Sequence, residues 1–220
     1  MADTIGGGIN EDGSLQNTLV IDEADLGKID IVGLENAGVT QLAVNTPVTG
    51  LQIGHKGDND IAITGARIVD TVLSNEAPKG ETATFVVDVA KAKNLTFETA
   101  GKGATELTYS SGKHVGHTIT TATKGKAPDS ISFNAASTVK SANISTGKGA
   151  DSLTFNGRLK GKTTVESGKG RDVIEVNRQS GKGKLILSDF NKKDTLIVGD
   201  ETFKLDNIDD APKFIKFPNA

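Results

Sequence analysis

Apolar and polar residues alternate in short stretches that recur about every 22 residues along the chain. The pattern is clearest in two copies: residues 146–156 are Thr-Gly-Lys-Gly-Ala-Asp-Ser-Leu-Thr-Phe-Asn, and residues 167–177 are Ser-Gly-Lys-Gly-Arg-Asp-Val-Ile-Glu-Val-Asn. We call the aspartate position of this pattern the slot. The slot recurs at Asn17, Thr40, Asn59, Ala83, Thr105, Asp129, Asp151, Asp172 and Asp194. Self-similarity at such a period is typical of a solenoid.

The residues two and four places after each slot are apolar or aromatic in all nine copies. They are Leu19, Ile21, Leu42, Val44, Ile61, Ile63, Phe85, Val87, Leu107, Tyr109, Ile131, Phe133, Leu153, Phe155, Ile174, Val176, Leu196 and Val198. The places between them are mostly polar or small, which predicts a short strand with one buried face. A turn former, such as Asn156 or Asn177, then ends the strand. Stacked asparagines at this place predict an amide ladder.

A second and less regular group of apolar residues lies in the other half of each unit, for example Leu95 with Phe97 and Leu185 with Leu187. Two short strands per coil and about nine coils of ~22 residues predict an all-β parallel β-solenoid of the β-helix or β-roll kind. At ~4.8 Å between neighbouring strands, the rod is expected to be about 40 Å long.

The repeat divides the chain into three parts. Residues 17–205 are predicted to form the solenoid, and residues 1–16 an N-terminal arm or cap. Residues 206–220 are a C-terminal cap or docking tail, with Phe214, Ile215 and Phe217 as apolar side chains beyond the last coil. Two interpretations of the tail stay open: a lid on the ninth coil, or a hook that docks onto a neighbouring subunit.

Composition narrows the classes of protein. The chain has no cysteine, which excludes disulfides, a cysteine-ligated zinc site and a thiol nucleophile. No segment approaches the ~20 consecutive apolar residues of a membrane span, and residues 1–8 lack the basic and apolar regions of a cleavable signal peptide. The net charge of −3, with 28 acids among which the lysines are spread, gives no reason to expect nucleic-acid binding.

Other candidate chemistry is sparse. His114 and His117 are three residues apart in a predicted strand or turn, so we expect them on opposite faces, as polar surface residues. His55 stands alone in a glycine-containing loop, and Asp58 and Asp60 flank the slot residue Asn59 as a solvated turn. The Gly-Lys-Gly loops lack the eight-residue frame of a phosphate-binding loop. Without a nucleophile–base pair, the sequence predicts a protein that is not an enzyme and has no catalytic residues.

Residues 147–153 are Gly-Lys-Gly-Ala-Asp-Ser-Leu, and residues 168–174 are Gly-Lys-Gly-Arg-Asp-Val-Ile. Both resemble the haemolysin-type calcium-binding repeats of RTX proteins, whose nonapeptide is Gly-Gly-x-Gly-x-Asp-x-U-x, with U a large apolar residue. The resemblance is clear only over about residues 125–199. It implies loops that clamp calcium with the aspartate carboxylate and loop carbonyls. The calcium ligands implied in this chain are Asp129, Asp151, Asp172 and Asp194.

The chain departs from the family pattern in these loops. Lys, Thr or Ser replaces the first glycine of the pair, and the unit is about 22 residues rather than two nonapeptides. Calcium takes six to eight oxygen ligands, for which one aspartate per coil is few. Lys126, Lys148 and Lys169 recur in the same loops. The alternative is therefore a metal-free edge at which ammonium groups neutralise the row of aspartates.

The sequence supports three functional hypotheses. The first is a non-enzymatic structural β-solenoid of a surface assembly, either a phage virion decoration or fibre or an extracellular surface layer or fibre, whose partners are its own copies or other structural proteins. The second is a calcium-binding secreted protein of the RTX kind. The third is a carbohydrate-acting β-helix enzyme. The first places the protein in a virion, outside the cell or on the cell surface.

Overall fold

The computed structural model describes residues 3–4, 18–21, 29–31, 40–56, 60–121, 125–177 and 183–218. Its strands are β1 (Asp3–Thr4), β2 (Thr18–Ile21), β3 (Ile29–Ile31), β4 (Thr40–Val44), β5 (Val48–Thr49), β6 (Gln52–Lys56), β7 (Asp60–Val69), β8 (Val72–Glu76), β9 (Thr82–Lys93), β10 (Thr96–Thr99), β11 (Ala104–Thr120), β12 (Ser130–Ser145), β13 (Lys148–Gly149), β14 (Ser152–Phe155), β15 (Arg158–Glu166), β16 (Lys169–Gly170), β17 (Val173–Val176), β18 (Lys184–Leu187), β19 (Thr195–Val198), β20 (Glu201–Phe203) and β21 (Ile215–Lys216). A 3-10 helix spans Ile208–Asp210.

The strands that follow the slots stack in parallel and in chain order, and we call this surface the first side. It consists of β2, β4, β7, β9, β11, β12, β14, β17 and β19, each paired with the next. Like inward positions lie above one another: the ring of Phe133 stacks on those of Tyr109 and Phe155, with centroids 4.6 and 5.2 Å apart. The described residues form about seven turns, against about nine coils predicted. The predicted parallel β-solenoid is confirmed.

One step of the predicted register is wrong. The slot assignment places Leu42 beside Ile61, whereas Leu42 pairs with Ile63 and Thr40 pairs with Ile61. This is a slip of two residues. Because side chains alternate with period two, such a slip keeps every side chain on its face. The inward row is therefore preserved, and the apolar pattern cannot detect the error.

The central coils have three sides rather than two. After the first side the chain runs through a short second side, at residues 66–69, 90–93, 113–115, 137–140 and 157–160, before it reaches the third side. The inward residues of the second side are in register; they are Ile68, Ala92, His114, Val139 and Leu159. The bend to the third side is made by residues with positive φ: Asp70, Asn94, Gly116, Ser141 and Gly161. The third side includes β6, β8, β10, residues 118–120, 142–145 and 163–166, β18 and β21.

The C-terminal segment covers the last coil. Strand β20 pairs antiparallel with β19, and β21 adds in parallel to β18, with Ile215 beside Leu185. Ile215 is buried, and the ring of Phe217 meets that of Phe190 with centroids 5.3 Å apart. This is the geometry of the lid interpretation; docking onto a neighbour stays a prediction. Of the predicted N-terminal arm, the structure describes only β1, which pairs with β3.

Candidate functional site: the buried aspartate row

The four slot aspartates lie where the preceding loop enters the first side, each immediately before a strand: Asp129 before β12, Asp151 before β14, Asp172 before β17 and Asp194 before β19. The loops before Asp151 and Asp172 stack so closely that a Cβ added at Gly170 would lie 1.6 Å from the carbonyl oxygen of Gly149. Glycine is required there because only a residue without a Cβ permits this approach. The short strands β13 and β16 pair in parallel within these loops. The recurring glycines therefore set the spacing of the coils at the slot.

The aspartates at the slot point into the protein and form one continuous row. Asp129, Asp151, Asp172 and Asp194 are at most 3% exposed. The backbone N–H of Thr105 donates to Oδ1 of Asp129 at 2.9 Å, and the N–H of Asp129 donates to Oδ1 of Asp151 at 2.8 Å. The same bond recurs from the N–H of Asp151 to Oδ1 of Asp172 at 3.0 Å and from that of Asp172 to Oδ1 of Asp194 at 3.2 Å. Each carboxylate thus joins its own coil to the preceding one.

The second carboxylate oxygen differs along the row. Oδ2 of Asp194 accepts from the backbone N–H of Asn191 at 2.9 Å and from its side-chain amide at 2.7 Å. Oδ2 of Asp129, Asp151 and Asp172 is buried and has no hydrogen-bond partner. An unpaired carboxylate oxygen away from water disfavours the charged form of the group.

Burial raises the pKa of Asp129, Asp151 and Asp172 to about 6, although nearby hydroxyl groups and the backbone N–H donors oppose the shift. The pKa of Asp194 is also raised, again chiefly by burial. Neighbouring carboxylates add to the effect at Asp151 and Asp172, because like charges in adjacent coils repel. Asp129, Asp151 and Asp172 therefore titrate near pH 6.

The loop lysines do not bond these carboxylates. Lys126, Lys148 and Lys169 are exposed, and Lys148 and Lys169 stand beside each other in the pairing of β13 with β16. Because Oδ2 of the aspartates beneath them has no partner, neutralisation by direct ammonium contact is absent at Asp129, Asp151 and Asp172. The three lysines are thus exposed to solvent, whereas the aspartates of the row are buried.

A further aspartate takes part that the sequence pattern did not single out. Asp189 accepts from the backbone N–H of Ser167 at 2.9 Å and from that of Gly168 at 2.7 Å. It occupies the place that Thr146 and Ser167 hold in the preceding coils, where the Thr146 hydroxyl donates to the carbonyl of Ser167 at 2.9 Å. The available signal was its position five residues before the slot residue Asp194.

The two histidines are not on opposite faces, and neither is a surface residue. His114 and His117 are buried and contact Tyr109, with ring centroids 4.6 and 5.5 Å from the Tyr109 ring. The prediction was wrong because the chain bends between them at Gly116, whose φ of 69° is left-handed backbone that favours glycine. One histidine therefore points inward from the second side and the other from the third.

Each histidine bonds the backbone through one nitrogen only. Nε2 of His114 donates to the carbonyl of Ser111 at 2.6 Å, and Nδ1 of His117 accepts from the N–H of Leu95 at 3.3 Å. The other ring nitrogens and the Tyr109 hydroxyl are buried without a partner. Burial lowers the pKa of His114 to about 4 and that of His117 to about 3. Both are thus neutral core residues at physiological pH.

The structure aligns the four predicted calcium ligands, but in single file along the rod. Among the described residues, no group of three or more His, Asp or Glu side chains is arranged to hold a metal ion. What fits a cation in this row is the set of unpartnered Oδ2 atoms in three successive coils. Calcium binding stays a prediction. The side chain of His55, with Asp58 and Asn59, lies outside the described residues.

The predicted amide ladder is present where the repeat is most regular, since the side-chain amide of Asn177 donates to that of Asn156 at 2.7 Å. In the part of the chain that the structure describes, no helix is long and apolar enough to cross a membrane. Neither a protein-family model, a curated protein nor a solved structure matches this chain. The function of the chain is therefore inferred from its own geometry.

The raised pKa of the row predicts a specific pH dependence. Folded Asp151 has a pKa of about 6 against 3.8 for the ordinary group. The stabilising contribution of its protonated form is therefore complete below 3.8 and is lost as the pH rises through 6. Asp151→Asn has no such group to ionise. We expect the variant to gain about 1–3 kcal/mol relative to wild type between about pH 4 and pH 7.5, measured by chemical unfolding in the presence of a chelator.

The protein also loses stability as the pH falls below 6.5, because His114 and His117 have lowered pKa values in the folded state. This loss is the same in wild type and in Asp151→Asn, so it cancels when their unfolding free energies are subtracted. The matched control is Glu106→Gln, which removes one exposed carboxylate from the first side. If the difference in unfolding free energy between Asp151→Asn and wild type is the same at pH 4 as at pH 7.5, the claim that burial raises the pKa of Asp151 is contradicted.

Proposed function

We propose that this protein is a non-enzymatic structural component of a surface assembly, either a virion decoration or fibre or an extracellular surface layer or fibre. The observation that carries the proposal is the position and bonding of the recurring slot aspartates. The slot aspartates lie inside the coils and bond the backbone of the neighbouring coil. Acidic residues that repeat with the coil and hold coils together support a structural role.

The shape of the solenoid favours the same role. The strands of the first side stack in parallel and in sequence, which gives a rod whose neighbouring coils are ~4.8 Å apart. Its stability comes from contacts between neighbouring coils. Such a rod offers flat, rigid sides to copies of itself or to other structural proteins. Because β20, β21 and the tail cover the C-terminal end, we expect contacts through the sides rather than through this end.

Assembly of the purified chain is the direct test of this proposal. We expect sedimentation velocity and electron microscopy to show rods that associate into oligomers or fibres as concentration rises. Deletion of residues 212–220 removes Ile215 and Phe217 from the last coil, so we expect a loss of at least about 3 kcal/mol of stability, with association retained. Lys213→Ala, an exposed change in the same segment, is the control and should leave both measurements unchanged.

Two results would decide against parts of this account. A truncated protein that melts like wild type but no longer associates would favour the docking interpretation of the tail. A chain that stays monomeric at all concentrations and releases reducing ends from polysaccharides would contradict the structural proposal and favour the carbohydrate-acting enzyme.

The second candidate is calcium binding of the RTX kind, and one observation favours it. Oδ2 of Asp129, Asp151 and Asp172 is buried without a partner in three successive coils, and carboxylate oxygens are the ligands that calcium prefers. Calcium would supply charge compensation to a row that the exposed lysines leave uncompensated by direct contact. The ligands from this chain would be Asp129, Asp151, Asp172 and Asp194.

Calcium titration of the chelated protein tests this candidate. A ligand that binds only the folded state raises stability by about 2.7 kcal/mol at 100 times its Kd, so the melting temperature should rise with millimolar calcium and less with magnesium. Asp172→Asn should reduce the rise, whereas Asp200→Asn, an exposed turn residue, should not. No rise with calcium in the wild-type protein would exclude the RTX mechanism.

A further inference from the structure

The outward face of the second side carries two rows of residues that run along the rod. The first row is Arg67, Lys91, Lys113, Thr138 and Arg158, and the second is Val69, Lys93, Val115, Lys140 and Lys160, each residue paired with the next in the adjacent coil. We call these ten residues the basic side. Seven of them are cations and none is an acid. Six of the seven cations are exposed, and Lys91 is half-buried.

The fold creates this concentration of charge. The whole chain has 25 cations and 28 acids, for a net charge of −3. The strongly positive charge of the basic side is therefore not evident from the overall composition. The two acids at its border are already engaged: Asp70 accepts from the side-chain amide of Asn94 at 2.8 Å, and Asp88 accepts from the hydroxyl of Ser111. Lys162 and Lys184 lie beyond the bend that leads to the third side. They stand beside each other in the pairing of β15 with β18 and extend the positive surface.

The stability of the solenoid does not account for the basic side. Arg67 lies directly beside Lys91, and Lys91 directly beside Lys113. Like charges placed opposite one another in neighbouring strands destabilise a sheet. Beneath these cations the inward residues Ile68 and Ala92 are apolar and fully buried, so no interior carboxylate lies directly below them. An external anionic partner would relieve the repulsion.

We infer that the basic side binds a linear anionic polysaccharide that lies along the rod. The rows present one position per coil at a spacing of ~4.8 Å over about 19 Å, which suits a polymer with charges repeated along its length. Strand pairing with the neighbouring coils fixes the backbone positions of these cations, so binding needs to order only their side chains. The guanidinium groups of Arg67 and Arg158 match the geometry of carboxylate and sulfate groups.

The other common polyanions fit this side less well. Single-stranded nucleic acids are usually held by aromatic side chains on which bases stack, and none of the ten residues is aromatic. Attachment to a lipid surface draws on apolar side chains that enter the bilayer, whereas the only apolar residues here are Val69 and Val115. The inference is independent of the proposed structural role, because a free monomer would bind the polymer equally well.

Binding of labelled polygalacturonate and heparin to the full chain, measured by fluorescence anisotropy, tests the inference. We expect binding to at least one of them that weakens as salt is raised, and no binding to neutral dextran. The triple variant Lys91→Gln, Lys113→Gln and Arg158→Gln should weaken binding by about tenfold or more, through loss of three contacts. The control triple variant Lys102→Gln, Lys148→Gln and Lys169→Gln removes the same charge from exposed loop lysines and should weaken binding by less than about threefold.

Circular dichroism melts establish that both triple variants are folded. Equal weakening in the two variants would overturn the assignment to the basic side, since net charge alone would then explain the binding. Tighter binding to an oligothymidylate, or to vesicles of phosphatidylglycerol and phosphatidylcholine, would overturn the choice of partner. Failure to bind either polysaccharide at low salt would overturn the inference altogether. The oligomeric state of the protein has no bearing on these outcomes.

Discussion

The structure depends on the register in which one coil lies on the next, and the slot aspartates hold that register where the repeat is most regular. Each carboxylate from Asp129 to Asp194 accepts the backbone N–H of the slot residue in the preceding coil. An N–H at a bend has no partner in the parallel ladder, so it must be satisfied in another way. The aspartate supplies this bond in each of the four coils whose slot is Asp129, Asp151, Asp172 or Asp194. The inward rows of Phe133 and Phe155 then stack without offset.

This arrangement has an electrostatic cost that shapes the surrounding surface. Carboxylates are buried in successive coils, and burial raises the pKa of Asp129, Asp151 and Asp172 to about 6. The cations of the same loops point outward instead of pairing with them. On the second side the cations stand over apolar residues such as Ile68 and Val139. The solenoid thus separates its charges, with acids inside along one edge and cations outside along another side.

The first side was predictable from sequence because each coil whose side chains the structure describes contributes two inward residues to one alternating strand. Leu153 and Phe155, for example, are both buried as expected. The second side was not, because each coil contributes a single apolar inward residue, such as Ala92 or Val139, and one apolar residue forms no hydrophobic alternation. A bend close to the strand also defeats face assignment, which is why His117 was misplaced. The basic side escaped detection because its cations occur singly or in pairs about one coil apart in sequence, with acids of other sides between them.

The most direct test of this account is amide hydrogen exchange at the slot residues, measured by NMR. The side chain of Asp151 accepts the N–H of Asp129, whereas the N–H of Asp172 donates to Asp194. In Asp151→Ala we therefore expect protection of the Asp129 amide to fall at least about tenfold more than that of the Asp172 amide, while Asp151→Asn, which keeps an acceptor oxygen, should retain it. Unchanged protection at Asp129 in Asp151→Ala would contradict the claim that the aspartate row joins the coils.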